Sequence, residues 1–231
     1  MRMMVMFEKG EALRHIGHLD LMRTIQRALR RSGLPIKYSN GFNPHIRLSF
    51  AAPLSVGVVG LRELMEVPLE DGVTEEAFAQ GMNRVLPGCL RIRACRVIDD
   101  SYPSLMALVA GSDYRITFPI TQESEKALAC FEDFMALDSY IATRRTKSGE
   151  NPCDIRPFVK AGACERADGM GTIILRTAVT QAGSLKPSLW LECLCQFAGA
   201  GAFAHMIYRT AILTKGEDGA LTPIMEETQH G

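Results

Sequence analysis

Residues 1–50 read MRMMVMFEKG EALRHIGHLD LMRTIQRALR RSGLPIKYSN GFNPHIRLSF, and this stretch contains the elements that decide the fold. The apolar run at 1–7 predicts a β-strand. A helix is expected from His18 to the end of the arginine-rich segment, where Gly33 suits a helix C-terminus. After a turn, apolar and polar residues alternate over 46–50, which indicates a half-buried strand. The stretch therefore predicts the order strand, helix, strand.

The next fifty residues again predict a strand, a helix and a strand. A strand is predicted over 61–69. Thr74 is a good N-cap for a second helix, which stops at the Pro87-Gly88 pair, and a strand follows from Leu90. The order β-α-β-β-α-β is that of the ferredoxin-like arrangement, an antiparallel sheet with two helices on one face. We therefore predict a ferredoxin-like unit over residues 1–100.

The rest of the chain partly recapitulates this order. Residues 98–112 are expected to form a linker with a short apolar helix. The pattern then predicts a second, degenerate ferredoxin-like unit over 113–215 and a frayed polar tail over 216–231. Its elements are predicted as strands 114–120, 139–146, 171–179 and 203–213, helices 123–137 and 186–197 (the latter opened by Ser184 and Pro187), and a loop-like region 147–170. The predicted fold class is α+β, with two βαββαβ units.

The charge of the chain is balanced overall but uneven along its length. The 231 residues contain 26 Lys/Arg and 26 Asp/Glu, with 47% hydrophobic and 23% charged residues, as in ordinary globular proteins. Residues 1–50 nevertheless hold nine Lys/Arg against three acids. An excess of positive charge in one fifth of the chain favours an anionic partner, and nucleic acid is the first candidate.

The cysteines and apolar runs indicate a cytoplasmic protein. Seven scattered cysteines without regular spacing, in a chain with no secretory signal, are typical of a reducing compartment. The apolar start is too short for a signal peptide, and no run is long enough to cross a membrane. The Cys193-x-Cys195 pair would point to two faces of a helix, which favours core thiols over metal ligands. We expect no metal and no cofactor.

The first helix carries a basic face. His18, Met22, Ile25 and Leu29 fall on one apolar stripe. The opposite side carries four arginines and one acid, Asp20: Arg23, Arg27, Arg30 and Arg31. Arginine is the planar, bidentate donor favoured for phosphate, so this face is a candidate nucleic-acid surface. The alternative is an ordinary solvated helix surface.

The loop after this helix is the second candidate. A turn alone would need only Asn40-Gly41, with Pro44 for rigidity. The loop also carries two aromatic faces, hydrogen-bonding groups and cations, which suit the gripping of a nucleic acid. These candidate binding residues are Tyr38, Ser39, Asn40, Gly41, Phe42, Asn43, His45 and Arg47. We expect the loop to line a cleft beside the start of the first helix, with His18 or Asp20 at its edge.

Possible acid–base groups are His18, Asp20 and His45. The simpler interpretation of His18 is a satisfied, partly buried histidine. Nothing in the spacing of the histidines requires a metal site. The chain also lacks the Walker A, Gly-x-Gly-x-x-Gly and Gly-x-Ser-x-Gly patterns and the three-cysteine motif of radical S-adenosylmethionine enzymes. The sequence does not reveal a reaction.

Several segments together resemble the radical-SAM-linked protein family, a bacterial domain of unknown function. They are FEKG (7–10), HLDLMR (18–23), RALRRSGLP (27–35), YSNGFNPH (38–45) and PLSVG (53–57), with DIR (154–156) as a weaker match. Gly17 departs from the serine expected as the helix N-cap. Members of that family occur next to, or fused behind, a radical S-adenosylmethionine protein. The resemblance thus implies a separate radical SAM partner and no established reaction.

The leading interpretation is a non-catalytic RNA-binding accessory module that acts with a radical SAM enzyme in RNA modification. One alternative is a small RNA-processing or modifying enzyme that uses His18, Asp20 and His45. Another is a protein-interaction subunit whose loop docks the radical SAM partner.

Overall fold

A computed structural model describes residues 1–146 and 149–226, and the chain forms two compact units. The first unit comprises Met1–Val109 together with the described residues from Ala211 onward, and the second comprises Ala110–Thr210. Residues 211–215, which the sequence pattern assigned to the second unit, belong to the first. The last part of the predicted tail, 227–231, lies outside the described residues.

The first unit contains an antiparallel sheet with the strand order β4-β1-β3, and β2 pairs with β3. Its helices and strands are β1 (Arg2–Lys9), α1 (His18–Arg31), β2 (Ser49–Phe50), β3 (Val58–Pro68), α2 (Glu75–Val85), β4 (Leu90–Ile98) and α3 (Leu105–Leu108), with a 3-10 turn at Glu11–Leu13. The strand expected over 46–50 is only two residues long. The preceding segment instead makes an isolated bridge between Tyr38 and Ile46.

Helix α1 forms where its periodicity predicts. Gly17 occupies the N-cap without a side-chain hydrogen bond, and Gly33 follows the C-cap with a φ of 74°. The buried residues of α1 are Leu21, Ile25, Ala28 and Leu29, and they share a core cluster with Met3, Val5 and Phe7 of β1. Because this stripe faces the sheet, the arginines on the opposite side of α1 are left in solvent.

The second unit contains the strand order β5-β9-β8 and a separate hairpin, β6–β7. Its elements are β5 (Gly111–Pro119), α4 (Gln122–Ala129), α5 (Phe131–Ala136), β6 (Ile141–Thr146), β7 (Gly149–Asp154), a 3-10 turn (Arg156–Phe158), β8 (Val159–Ala167), β9 (Met170–Ala178), α6 (Pro187–Phe197) and β10 (Met206–Lys215). Strand β10 runs on into the first unit, where β11 (Leu221–Pro223) pairs with it.

The loop-like region expected over 147–170 is wrong for most of its length, because β7 and β8 lie there. Pro152 is accommodated in a hairpin of only two strands, where a missing N–H is tolerated. Gly162 lies in β8, where a Cβ would come within 2.9 Å of Met135 and 3.2 Å of Phe131, which accounts for glycine at this strand position. Residues 147 and 148 lie outside the described part.

Two helices also differ from the pattern. The single helix expected over 123–137 is divided at Cys130 into α4 and α5. Phe131 and Phe134, beyond this break, contact the ring of Trp190, with centroids 6.1 Å and 5.8 Å away. Helix α6 has Lys186 as its N-cap, and the expected cap Ser184 instead accepts a hydrogen bond at its carbonyl from Arg144.

The predicted fold class is confirmed as α+β with a mostly antiparallel sheet and helices. Within the described ranges, no helix has both the length and the apolar character needed to cross a membrane.

Candidate nucleic-acid interface

The first component of the candidate site is the arginine face of α1, which comprises Arg23, Arg27, Arg30 and Arg31. All four residues are exposed. Asp20, the acid on this face, pairs with Arg23 at 3.2 Å, and both side chains are about two-thirds exposed, at 68% and 65%. A pair this exposed contributes little to stability, since water and salt screen it.

The remaining arginines differ in how firmly they are held. Arg31 donates to the carbonyl of Val85 at 2.9 Å, which fixes its guanidinium beside the end of α2. Arg27 and Arg31 line a shallow cavity of about 300 Å³ together with Thr24 and that end of α2. Considering only residues 1–146 and 149–226, neither Arg27 nor Arg30 has an ion pair or side-chain hydrogen bond. These two cations are thus available to an external anion.

The second component is the 38–46 loop, which has a closed neck. Ser39 N–H donates to the His45 carbonyl at 2.9 Å, and His45 N–H donates to Ser39 Oγ at 3.0 Å. Ser39 Oγ also lies 2.7 Å from His45 Nδ1. Gln26 of α1 donates to the Ile46 carbonyl at 3.3 Å, which ties the neck to the helix. The neck therefore holds the loop without help from a ligand.

The tip of this loop projects into solvent. Gly41 has a φ of 123°, a left-handed conformation that favours glycine. Phe42 is fully exposed, with a relative accessibility of 112%, and Tyr38 is 46% exposed. Since Phe42 buries no surface, the tip of the loop is not a packing element of the core.

The third component is a cavity of about 500 Å³ beside the loop, here named the Glu66 cavity. Its polar lining residues are Arg2, Gln26, His45, Arg47, Ser49 and Glu66, and its apolar ones are Met22, Ile46, Leu48 and Pro68. Glu66 is held from two sides. Arg2 Nη1 donates to Oε2 at 2.7 Å, and Ser49 Oγ donates to Oε1 at 2.9 Å.

Arg2 is itself anchored by backbone carbonyls. Its Nη2 donates to the carbonyls of Asp99 at 2.9 Å and Asp100 at 3.4 Å, and to that of Tyr102. Only 15% of the Arg2 side chain and 10% of the Glu66 side chain are exposed. The floor of the cavity is therefore a rigid, nearly buried ion pair.

The three candidate acid–base residues have separate partners. His18 packs edge-on against Phe50 at 5.1 Å between centroids, Asp20 pairs with Arg23, and His45 contacts Ser39. The predicted cleft at the start of α1 also requires correction. The cavity beside the loop is lined by Met22 and Gln26 from the middle of α1, because the Ile46 carbonyl is bound there, and not by His18 or Asp20.

Cys95 and Cys193 are poor candidates for nucleophiles. Burial raises the pKa of the Cys95 thiol to about 12, with the Glu75 carboxylate adding to the rise. Burial likewise raises the pKa of Cys193 to about 11, with a contribution from Glu192. At neutral pH these thiols are protonated, and the thiolate is the reactive form. Within the described residues, no three His, Cys, Asp or Glu side chains converge on a possible metal site.

The sequence pattern predicts the arginine face and the loop but does not predict the Glu66 cavity. Its lining combines four separate stretches of chain, from β1, α1, residues 45–49 and β3. One signal was available: Glu66 interrupts the apolar run Leu64-Met65-Glu66-Val67, and an acid inside a central strand requires a partner.

Comparison with solved structures shows a likeness of fold. A crystal structure of a Cbf5-Nop10-Gar1 complex matches with a TM-score of 0.52 and 13% identity, over 91% of this chain and 48% of that chain. This chain thus spans about half the length of the one it matches. A crystal structure of an unknown protein from Galdieria sulphuraria matches at 10% identity over 91% of this chain and 98% of that one, but its TM-score is only 0.26.

No curated protein matches the chain at a significant level. A family model does match, over residues 2–187, which is most of the chain. This chain therefore belongs to the bacterial family described as "Uncharacterized protein conserved in bacteria (DUF2344)".

Proposed function

We propose that the protein is a non-catalytic RNA-binding module of the cytoplasm, which presents RNA to a separate radical SAM enzyme for modification. The observation that carries the proposal is the exposure of four arginines on one face of α1, in the same unit as the exposed aromatic tip of the 38–46 loop. One surface supplies cations for phosphates, and the other supplies rings for bases.

The arginine face supports backbone binding. Arg27 and Arg30 have no partner within the described ranges, and Arg31 is fixed by Val85. An arginine that meets a phosphate displaces condensed counterions, so affinity falls as salt concentration rises. Four arginines and one paired acid leave a net positive surface, because Asp20 offsets only one of them.

The loop supports recognition of unpaired bases. Phe42 offers a solvated ring, and base–aromatic stacking is worth roughly 1–3 kcal/mol per base. The neck formed by Ser39 and His45 is already closed, so the loop loses less conformational entropy when it binds. Single strands, loops and bulges present unstacked bases, and RNA is commonly read in this way.

The ferredoxin-like assignment is part of the proposal. The order β4-β1-β3 with β2 on β3, all antiparallel, and the order β5-β9-β8 agree with two βαββαβ units, the second interrupted by the β6–β7 hairpin. The radical SAM partner rests on the resemblance of segments within residues 7–57.

The test is whether RNA binds without being changed. The protein should be purified with and without a wash in high salt, and the absorbance ratio at 260 and 280 nm compared. The washed protein is then mixed with end-labelled single-stranded RNA. We expect nucleic acid in the unwashed sample, salt-sensitive binding, and RNA that stays intact.

Two results would contradict the proposal. RNA cleaved or altered by the protein alone would favour an enzyme. Salt-insensitive binding to a radical SAM protein, with no binding to RNA, would favour a docking subunit.

A further inference from the structure

The Glu66 cavity has an unusual floor for a surface pocket. The Glu66 carboxylate is nine-tenths buried and lies in a β-strand between buried apolar residues. Arg2 and Ser49 each donate one hydrogen bond to it, one to each oxygen. An ionised carboxylate offers about four lone-pair sites, so two of them remain for a ligand.

Part of the cavity wall is apolar. Met22 of α1, Leu48 and Pro68 face the same space of about 500 Å³. Pockets of about 300–1,000 Å³ with apolar walls and a few convergent polar groups are typical of small-molecule sites. A flat, aromatic ligand with adjacent N–H donors fits this combination of a partly apolar wall and a carboxylate floor.

Cations lie at the opening. Arg47 and His45 both line the cavity and are exposed, and they belong to the chain that leaves the 38–46 loop. Arg47 can meet a phosphate attached to a ligand that enters the cavity. A nucleotide combines an anionic group with a hydrogen-bond-donating ring in this way.

We infer that the Glu66 cavity is a subsite for one unstacked guanine base of a guanine nucleotide or single-stranded RNA. Guanine is the base whose Watson–Crick edge carries two adjacent donors, the ring N1–H and the exocyclic amino group, and these match the two oxygens of Glu66. Cytosine and adenine offer only an amino group to this carboxylate. The inference rests on the proposed function for the source of the base, and the base itself is recognised by the cavity alone.

The experiment uses the full chain and the four nucleoside 5′-monophosphates, with binding measured by calorimetry. We expect guanosine monophosphate to bind most tightly, by roughly 5- to 150-fold over the others, the discrimination typical of a bidentate base contact. Glu66→Gln should abolish this preference. Glu70→Gln, which removes an exposed carboxylate near the end of the same strand, should leave it unchanged. Equal affinities for all four nucleotides would overturn the inference.

A second variant covers the case in which Glu66→Gln does not fold. Leu48→Trp fills the cavity and leaves Arg2, Ser49 and Glu66 in place. We expect this variant to lose guanosine monophosphate binding by at least tenfold, and unchanged affinity in the folded variant would contradict the inference.

A comparison of two kinds of ligand identifies the source of the base. Binding of a U-rich RNA pentamer with one central guanine is compared with binding of free guanosine mono- and diphosphate. Tighter binding of the pentamer supports RNA as the source. Tighter binding of the free nucleotides, with no pentamer binding, retains the guanine subsite but contradicts the RNA-binding function. RNA binding without any preference for guanine retains the RNA-binding function but contradicts the guanine subsite.

Discussion

The two units begin with the same kind of element, a strand followed by a helix, yet the helices present opposite charges. Helix α1 carries four exposed arginines with one acid. Helices α4 and α5 carry acids in their first turns, Glu123 and Glu125 in one and Glu132 and Asp133 in the other. A shared order of elements therefore says nothing about the partner. The difference places the proposed RNA surface in the first unit alone.

The cavities of the two units also differ in their chemistry. The Glu66 cavity has one buried ion pair as its floor. The cavity of the second unit, about 530 Å³, lies between the β6–β7 hairpin and α6, and its lining includes Cys153, Lys186, Glu192 and Cys193. Its charges are mixed and its thiols include the protonated Cys193. The buried ion pair makes the cavity of the first unit the stronger candidate for a specific ligand site.

The largest expected effect is on the free energy of unfolding, where one phenylalanine from each unit is compared. Phe131 is fully buried against Trp190, whereas Phe42 is fully exposed. Phe131→Ala should lower the free energy of unfolding by about 3–5 kcal/mol. Phe42→Ala should change it by less than about 0.5 kcal/mol. Denaturant titration followed by circular dichroism measures both, and a large loss for Phe42→Ala would make the tip of the loop a packing element.

Phe42→Ala should next have a large effect on RNA affinity. Loss of one stacking ring is expected to cost roughly 1–3 kcal/mol of binding free energy. The matched control is Ile141→Ala, which removes another exposed apolar side chain, 62% accessible, from the second unit. Fluorescence anisotropy with labelled single-stranded RNA would show the difference. Equal losses of RNA affinity in the two variants would contradict a special role for the first unit in RNA binding.

The arginine face should contribute a smaller, salt-dependent effect. Arg23→Gln with Arg27→Gln should weaken RNA binding on the order of tenfold at moderate salt and flatten the salt slope by about two units. Lys160→Gln with Arg166→Gln removes the same charge from exposed positions of β8 and should change neither. If both double variants behave alike, the arginine face is only a solvated surface.

The smallest effect concerns pH and the second unit. Hydrogen bonds from the N–H groups of Tyr140 and Arg156 lower the pKa of Asp154. A carboxyl with a lowered pKa in the folded state stabilises the protein above its unfolded pKa, and this contribution is lost as pH falls below about 4. Asp154→Asn should therefore lower the melting temperature at pH 7 and flatten its decline below pH 4. RNA binding at pH 7 should be unchanged.

The first unit was the more predictable of the two. The apolar stripe of α1 has a single period, and Thr74 is the N-cap of α2 as expected, since its side chain accepts from Ala77 N–H. In the second unit, Pro152 and Gly162 are loop signals by themselves. The two-stranded hairpin tolerates Pro152 because its edges are free, and the strand position of Gly162 requires a small residue because Met135 and Phe131 of α5 approach it closely.

The candidate site was predictable only where it is local in sequence. The exposed arginines follow from helical spacing, and the loop is one continuous segment. The Glu66 cavity depends on Arg2, Gln26, Ser49 and Glu66, which are brought together by strand pairing and by the hydrogen bond from Gln26 to Ile46. No sequence spacing encodes that convergence.

Binding of RNA to the first unit can be tested by ultraviolet cross-linking. Full-length protein is irradiated with single-stranded RNA at moderate salt, digested, and analysed by mass spectrometry. We predict cross-links concentrated within residues 38–47, with Phe42 and Tyr38 foremost. Cross-links that fall mainly within residues 110–210, with none at 38–47, would contradict the account.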